Sequence, residues 1–574
     1  MASPVPVYAL PAYVLPAFCL STFCLRFWPM PTVTFPLSYL QRLTQTPLAQ
    51  LEQQAFHYGL EATLRDHDLE VEVTAERPDL LSAEGFIRAM NVYNGQPRSV
   101  PETLAESGYS VTVDSSVLGL RPYLAALVVR QAHLQDGGLE VLMQFQEKVT
   151  QTFGRQRKKI AIGVYDLDRM VGNLTYTAQA KTDLSFVPLR ETAPITAADL
   201  LAHHPIGQLY GPTLPAGDRV PVLHDAQGQV LSLPPIINAA GVGEISAATR
   251  NLFIDVTGIL DQTVQETANI LAHNFLDTGA EVQTVTVITP SGSQVTPSLN
   301  RRPITFSARF LNEIMGSAIP KTKLGQVLAR MDLEVSGTHE VYVPTYRTDM
   351  LSQVDLAGDL MVALGIDTFQ AEPLSVKFHL GQADGLRQFV FRVGDLSQRL
   401  GLMEVKGHVL TDPARLALFA DHYLQTSNAK SRTYSATRTT LQVGLLEVLS
   451  RNINAPKPIN LYETGEILRL TAAGQGEESQ AWGFASLDAR AAFSTAKAYL
   501  QTLLRALGVD YALTEGHSPY YISGRSALVQ VGGETIGEFG EAHPSLLNAY
   551  SFPEPIAMGE LNLSQLHRLT IQPQ

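Results

Sequence analysis

Pro221-Val222-Leu223-His224-Asp225-Ala226-Gln227-Gly228-Gln229-Val230-Leu231-Ser232-Leu233-Pro234-Pro235-Ile236-Ile237-Asn238 is the most informative stretch of the chain. Apolar residues flank a polar Asp-Ala-Gln-Gly turn, and Pro234-Pro235 breaks the run that follows. The reading is strand, turn, strand, with the breaks at Pro212, Pro215, Pro234 and Pro235 marking the end of a domain. Around this stretch, residues 101–255 alternate strands (111–116, 124–129, 160–167, 229–233) with helices such as 139–153. They form one α+β domain.

Working outward, residues 30–100 form an N-terminal α+β domain. A strand and helix open it, a helix repeats apolar residues over 48–62, and Leu69-Glu70-Val71-Glu72-Val73 alternates as a strand. Residues 256–297 supply a long helix over 259–279 and a strand over 282–288, expected to return to the N-terminal domain. Residues 298–374 form a compact domain with helices over 308–316 and 323–331, a strand over 341–344 and a helix over 352–365. Residues 375–574 carry a second apolar core. The expected architecture is multidomain α+β, with no repeat, heptad or low-complexity tract.

The chain has 574 residues, 45% hydrophobic and 17% charged, which excludes a disordered or collagen-like polymer. Its 42 Lys+Arg against 55 Asp+Glu give a net charge of -13, so nucleic acid would have to meet local patches. Two cysteines, Cys19 and Cys24, cannot build a disulfide framework or a four-cysteine zinc site. Both lie in residues 1–29, an apolar leader with Arg26 as its one charge. Pro4, Pro6, Pro11 and Pro16 interrupt it, and no basic residue precedes its apolar part. It matches neither a secretory signal nor a membrane span. We expect a translated upstream extension with the natural start at Met30, and a soluble, cytoplasmic protein.

Generic catalytic signatures are absent. There is no phosphate-binding P-loop and no Gly-x-Ser-x-Gly elbow. Gly241-Val242-Gly243 reads as a turn, and His203-His204 as a polar loop pair without a third ligand. Two clusters remain. Arg155, Arg157, Lys158 and Lys159 are either a solvated helix end or a phosphate-backbone contact for a polyanion. Asp349, Asp355 and Asp359 are either acids gathered at a helix N-terminus or ligands of a hard cation, most simply Mg²⁺. The dipole does not account for Asp359, which lies too far into the helix.

The opening stretch, with Thr249-Arg250-Asn251-Leu252-Phe253-Ile254-Asp255-Val256-Thr257, closely resembles the β subunits of archaeal- and eukaryotic-type phenylalanyl-tRNA synthetase. The likeness extends through Glu76-Arg77-Pro78-Asp79, Arg157-Lys158-Lys159-Ile160, Tyr346-Arg347-Thr348-Asp349, Tyr462-Glu463-Thr464-Gly465-Glu466 and Gly537-Glu538-Phe539-Gly540-Glu541. It spans residue 30 to about residue 563, and Pro31-Thr32-Val33-Thr34 resembles the family's usual opening. The bacterial type's additional oligonucleotide-binding barrel and anticodon-binding domain have no room here.

The resemblance implies half of a heterotetramer, (αβ)₂, that charges phenylalanine onto tRNA(Phe) with ATP, both small substrates being bound by α. Residues 375–574 would then be a class II synthetase-like antiparallel-sheet core, catalytically inactive, that packs against α. Residues 101–255 would be an editing domain that hydrolyses mischarged Tyr-tRNA. Asp225 either orients substrate or water there or is a structural carboxylate in a turn. Residues 298–374 would be the small Mg²⁺-binding domain, with Asp349, Asp355 and Asp359 as ligands and Gly358 where the family has a Glu. A purely architectural β subunit and a free-standing deacylase are the competing functions.

Overall fold

The structure, a computed structural model, describes residues 31–570 other than 97, 99, 318, 372, 375, 377, 379 and 472. The expectations for residues 1–29, both cysteines included, lie outside the described residues. The chain divides into two compact units, one up to Pro373 and one from Leu374. Among the described residues no helix is long and apolar enough to cross a membrane.

The first unit opens with a three-stranded antiparallel sheet in which Asp68–Glu72 lies between Thr32–Pro36 and Glu61–Leu64. The period-two pattern puts Val33, Phe35, Leu69 and Val71 on one buried face, covered by Leu48–Tyr58 and Ala83–Tyr93. Next comes a ten-stranded mixed sheet, whose interior strand Tyr123–Arg130 is buried from Leu124 to Val129. Such a continuous apolar run suits a strand covered on both faces. The small domain pairs Arg302–Thr305 and Glu334–Ser336 with Glu340–Val343, beside helices Ala308–Met315, Lys321–Ala329 and Gln353–Leu364.

Residues 256–297 differ from expectation. The boundary at 255 falls inside the strand Leu252–Gly258, and Glu281–Thr289 enters the middle of the large sheet. There it runs parallel to Ala105–Val113 and antiparallel to Tyr123–Arg130. Only the helix Asp261–Asp277 returns, packing on Ala83–Tyr93 as well as on the sheet. Long-range parallel pairing leaves no mark in local periodicity, so the strand was legible and its place was not.

The second unit is built on a seven-stranded sheet. The long hairpin Ile459–Leu470 and Gly476–Leu487 continues through Ile556–Asn562, Glu534–Ala542, Tyr521–Val531 and Ala512–Glu515, all antiparallel. The two-residue strand Met403–Glu404 adds in parallel at the hairpin's edge. Alternate side chains feed two separate cores, one with Trp482, Phe484 and Phe539 and the other with Ile467, Ala485 and Met558. The molecule is thus mixed α+β and multidomain.

Candidate functional site

In the large sheet, Asp225 anchors a turn. Its Oδ1 accepts the backbone N–H groups of Gln227 (2.9 Å) and Gln229 (3.0 Å), and its Oδ2 that of Val171 (3.2 Å). Gly228, at φ +80, closes the turn in the left-handed region that glycine tolerates. A carboxylate buried in this way satisfies backbone donors that would otherwise be lost. Asp166 caps a short helical turn, and Asp168 accepts from the Asn251 side-chain amide.

Tyr165 turns inward to a different acid. Its hydroxyl lies 2.6 Å from Asp255 Oδ1 and 2.8 Å from Ser232 Oγ, all three residues being buried. Strand pairing places Asp255 between Gly163 and Ala126, and those small neighbours leave room for carboxylate and phenol. Around this polar group lie Phe253, Val128 and Leu223. Burial raises the Asp255 carboxyl to about 6, against the lowering pull of Tyr165 and Arg121. Sequence reasoning missed Asp255 and Ser232. The available signal was one charged residue in the middle of the apolar run Leu252-Phe253-Ile254-Asp255-Val256.

A pH dependence follows. Between the ordinary Asp value of 3.8 and about 6, the folded chain holds a proton that the unfolded chain releases. Stability therefore falls as pH rises through that window, by about 3 kcal/mol in all. Asp255→Asn is expected to flatten this part of the profile, read by denaturant unfolding at successive pH values.

The basic cluster forms no helix end. The helix Gly138–Gln151 stops first, and Arg155, Gln156 and Arg157 follow with φ of 49, 55 and 62. Three successive non-glycine residues in the left-handed region are uncommon and need local support. Arg121, buried, provides it by donating to the carbonyls of Arg157 and Lys158 (3.3 Å each) and to Thr257. Burial lowers the Arg121 guanidinium to about 10. Arg157 folds back over the Tyr210 ring at 4.1 Å and donates to the carbonyls of Pro235 and Ile236. Of the four cations, Arg155 and Lys158 are exposed, Lys159 is half-buried, and Arg157 is a tether.

In the small domain, Asp349 and Asp359 converge but Asp355 does not join them. Asp355 Oδ2 accepts the backbone N–H groups of Ser352 (2.7 Å) and Leu351 (2.8 Å), completing a capping box for Gln353–Leu364. Between Asp349 and Asp359 lies the Arg347 guanidinium, with Nη2 2.7 Å from Asp349 Oδ2 and 2.8 Å from Asp359 Oδ2. Among the described residues no group of three His, Cys, Asp or Glu side chains is arranged to hold a metal ion. The three acids as placed do not fit Mg²⁺, and no step is assigned to it.

The second unit has a cavity of about 490 Å³ over its sheet, lined by residues including Gln442, Arg469, Tyr520, Glu538 and Glu560. Arg469 is paired with Glu560 at 3.0 Å, and Glu560 also accepts from Thr440 and Leu441.

Two profiles match this chain: the tRNA synthetase B5 domain over residues 304–366, and the phenylalanyl tRNA synthetase beta chain CLM domain over residues 373–563. The class they define is a subunit of a class II aminoacyl-tRNA synthetase. The phenylalanine–tRNA ligase beta subunit of Sulfurisphaera tokodaii is 30% identical over 549 residues, covering 94% of this chain and 99% of the relative. That of Pyrococcus furiosus is 31% identical over 506 residues, covering 86% and 90%. The crystal structure of an N-terminal fragment of the Pyrococcus horikoshii phenylalanyl-tRNA synthetase beta subunit matches with a TM-score of 0.55 and 27% identity. It covers 58% of this chain and 99% of the fragment. The chain belongs to the phenylalanine–tRNA ligase beta-subunit family, in its archaeal form.

Proposed function

We propose that the chain works in the cytoplasm as the β half of an (αβ)₂ ligase for phenylalanine and tRNA(Phe), with ATP and phenylalanine bound by α. Its large sheet then removes tyrosine wrongly attached to that tRNA. The need is physical: an apolar pocket rejects a near-isostere that adds one hydroxyl by only about 10²-fold. The observation that carries the reading is the buried Asp255–Tyr165–Ser232 group, polar and hydrogen-bonded within an apolar core. Opened to the substrate, such a group would favour a phenol over a phenyl ring, because an unmatched buried polar atom costs about 1–3 kcal/mol. Arg155 and Lys158 are the exposed cations for the tRNA backbone. The Arg469–Glu560 pair supports an inactive C-terminal core, since it occupies a cation that a nucleotide phosphate would need.

The test is Tyr-tRNA(Phe) hydrolysis by the complex with α. Asp255→Asn is expected to slow hydrolysis by about 10²-fold or more, while Asp225→Asn, in a turn, stays within a few-fold of the parent. Full hydrolysis by the Asp255 variant would place the editing chemistry away from Asp255, and no hydrolysis by the parent complex would leave an architectural β subunit.

A further inference from the structure

The small domain contains a buried cluster of charge that the proposed function does not use. It begins in the sequence with two Arg-x-Asp pairs: Arg347-Thr348-Asp349, and Arg77-Pro78-Asp79 in the N-terminal domain. Each arginine grips the aspartate two residues on in fork geometry. Arg77 binds Asp79 through Nε and Nη2, both at 2.9 Å, and Arg347 binds Asp349 through Nε (2.8 Å) and Nη2 (2.7 Å). Such bidentate pairs fix direction as well as charge.

The two pairs then meet. Arg77 Nε is 3.8 Å from Asp349, and the Thr348 hydroxyl donates to the Glu76 carbonyl at 3.3 Å. Arg347 reaches on to Asp359 in the helix Gln353–Leu364, with Nη2 2.8 and 3.0 Å from the two carboxylate oxygens. Its Nη1 donates to the Met331 carbonyl at 3.1 Å, and its side chain is 1% exposed. One guanidinium therefore ties together the loop before the helix, the helix itself and the end of Lys321–Ala329. A neighbouring guanidinium carries the connection into the N-terminal domain.

We propose that Arg347 is the resident cation of this domain, holding by itself the place between Asp349 and Asp359 for which the family resemblance implies Mg²⁺. The domain accordingly keeps its fold, and its seat on the Arg77–Asp79 turn, without a divalent ion.

Three features carry this. Mg²⁺ demands near-octahedral oxygen ligands at about 2.0–2.1 Å, and the oxygens facing each other here are already bridged by N–H donors. Asp355, the third acid of the pattern, is spent on two backbone amides at the helix start. Gly358, where the resemblance has a Glu, supplies no ligand. The charge balance agrees: Arg77 and Arg347 face Asp79, Asp349 and Asp359, a small excess of acid that a divalent ion would overturn into an excess of cation. Buried charges are held when they are both paired and hydrogen-bonded, and this cluster meets the condition with protein groups alone.

The experiment uses the full-length chain and Mn²⁺ as a paramagnetic stand-in for Mg²⁺. The expected results are an unchanged thermal midpoint in chelator against added Mg²⁺, and no bound Mn²⁺ by electron paramagnetic resonance that disappears in Asp359→Asn. Gly358→Glu separates the two reasons for excluding metal. A Cβ there meets nothing within 4 Å, so the variant is expected to fold, and with Arg347 in place it is expected to bind no Mn²⁺ either. Arg347→Met, which leaves two buried carboxylates facing each other, is expected to lower the midpoint and to recover part of the loss when Mg²⁺ is added. A chelator-sensitive midpoint in the parent, or Mn²⁺ bound by the parent and lost in Asp359→Asn, would overturn the proposal. Mn²⁺ bound by Gly358→Glu would also overturn it, by showing that the missing carboxylate, and not Arg347, keeps the metal out. If Arg347→Met does not fold, the parent and the Gly358→Glu titration decide.

Discussion

Replacing Arg438 with Met is expected to destabilise the C-terminal unit by about 3–5 kcal/mol, the usual cost of breaking a buried ion pair from one side. Arg438 Nη1 lies 2.7 Å from Glu463 Oε1, with the two side chains 3% and 0% exposed. The same carboxylate oxygen accepts the Gly407 N–H at 3.1 Å, while Glu463 Oε2 is buried with no hydrogen-bond partner among the described residues. Arg438 also donates from Nε to the Glu466 carbonyl at 2.8 Å. The methionine would leave a carboxylate in the core with one amide for company, and a carbonyl without its donor. Gly465 shows how closely the pair is fitted, since a Cβ there would overlap the Arg438 guanidinium. Denaturant unfolding followed through Trp482, which lies in this unit, measures the loss. Glu463→Gln in the same background is expected to restore part of it by removing the stranded charge. A loss below about 1 kcal/mol, the level of a surface ion pair, would contradict the burial argument.

Gly163→Ala is expected to abolish most Tyr-tRNA hydrolysis while leaving phenylalanine charging by the complex intact. The added methyl would fall on the Tyr165 hydroxyl and the Asp255 carboxylate, so phenol and acid must part. The φ of Gly163 is not in the left-handed region, so the change acts through crowding and not through backbone strain. Overpacking costs about 1–3 kcal/mol, and an unsatisfied buried acceptor adds about 1–3 kcal/mol. Hydrolysis and thermal unfolding are measured on the same preparation. A small stability loss with full hydrolysis would place the deacylation chemistry away from Asp255. A Gly163→Ala, Tyr165→Phe double variant removes the overlap with the hydroxyl and keeps those with the Asp255 carboxylate and the ring Cζ. It should regain only part of the stability and none of the activity.

Much of the local structure was legible. The period-two run at Leu69–Val73 and the helical spacing over 308–316 and 352–365 announced their elements, because one face of each packs on a core. The family was legible too, from motifs spread along the chain. What escaped depended on partners remote in sequence. Asp255 looked like part of an ordinary strand until Tyr165 and Ser232 arrived from other strands. Arg157 looked like a solvated or phosphate-binding cation until Tyr210 and the Pro235 and Ile236 carbonyls took it up. Asp355 resembled a metal ligand in spacing, yet its nearest donors were the amides three and four residues before it. Arg347, beside Asp349 in the sequence, was visible throughout, but its reach to Asp359 requires the helix to be in place.

The strand Glu281–Thr289 also sets a clock. Ala105–Val113 and Tyr123–Arg130 flank a slot that only residues 281–289 fill. A ribosome adding about 5–20 residues per second needs roughly 10–30 s to travel from residue 113 to residue 281. For that time the nascent large sheet is split into halves with open, unpaired edges, the state most exposed to mispairing. A fragment ended at residue 255 would be held in that state permanently.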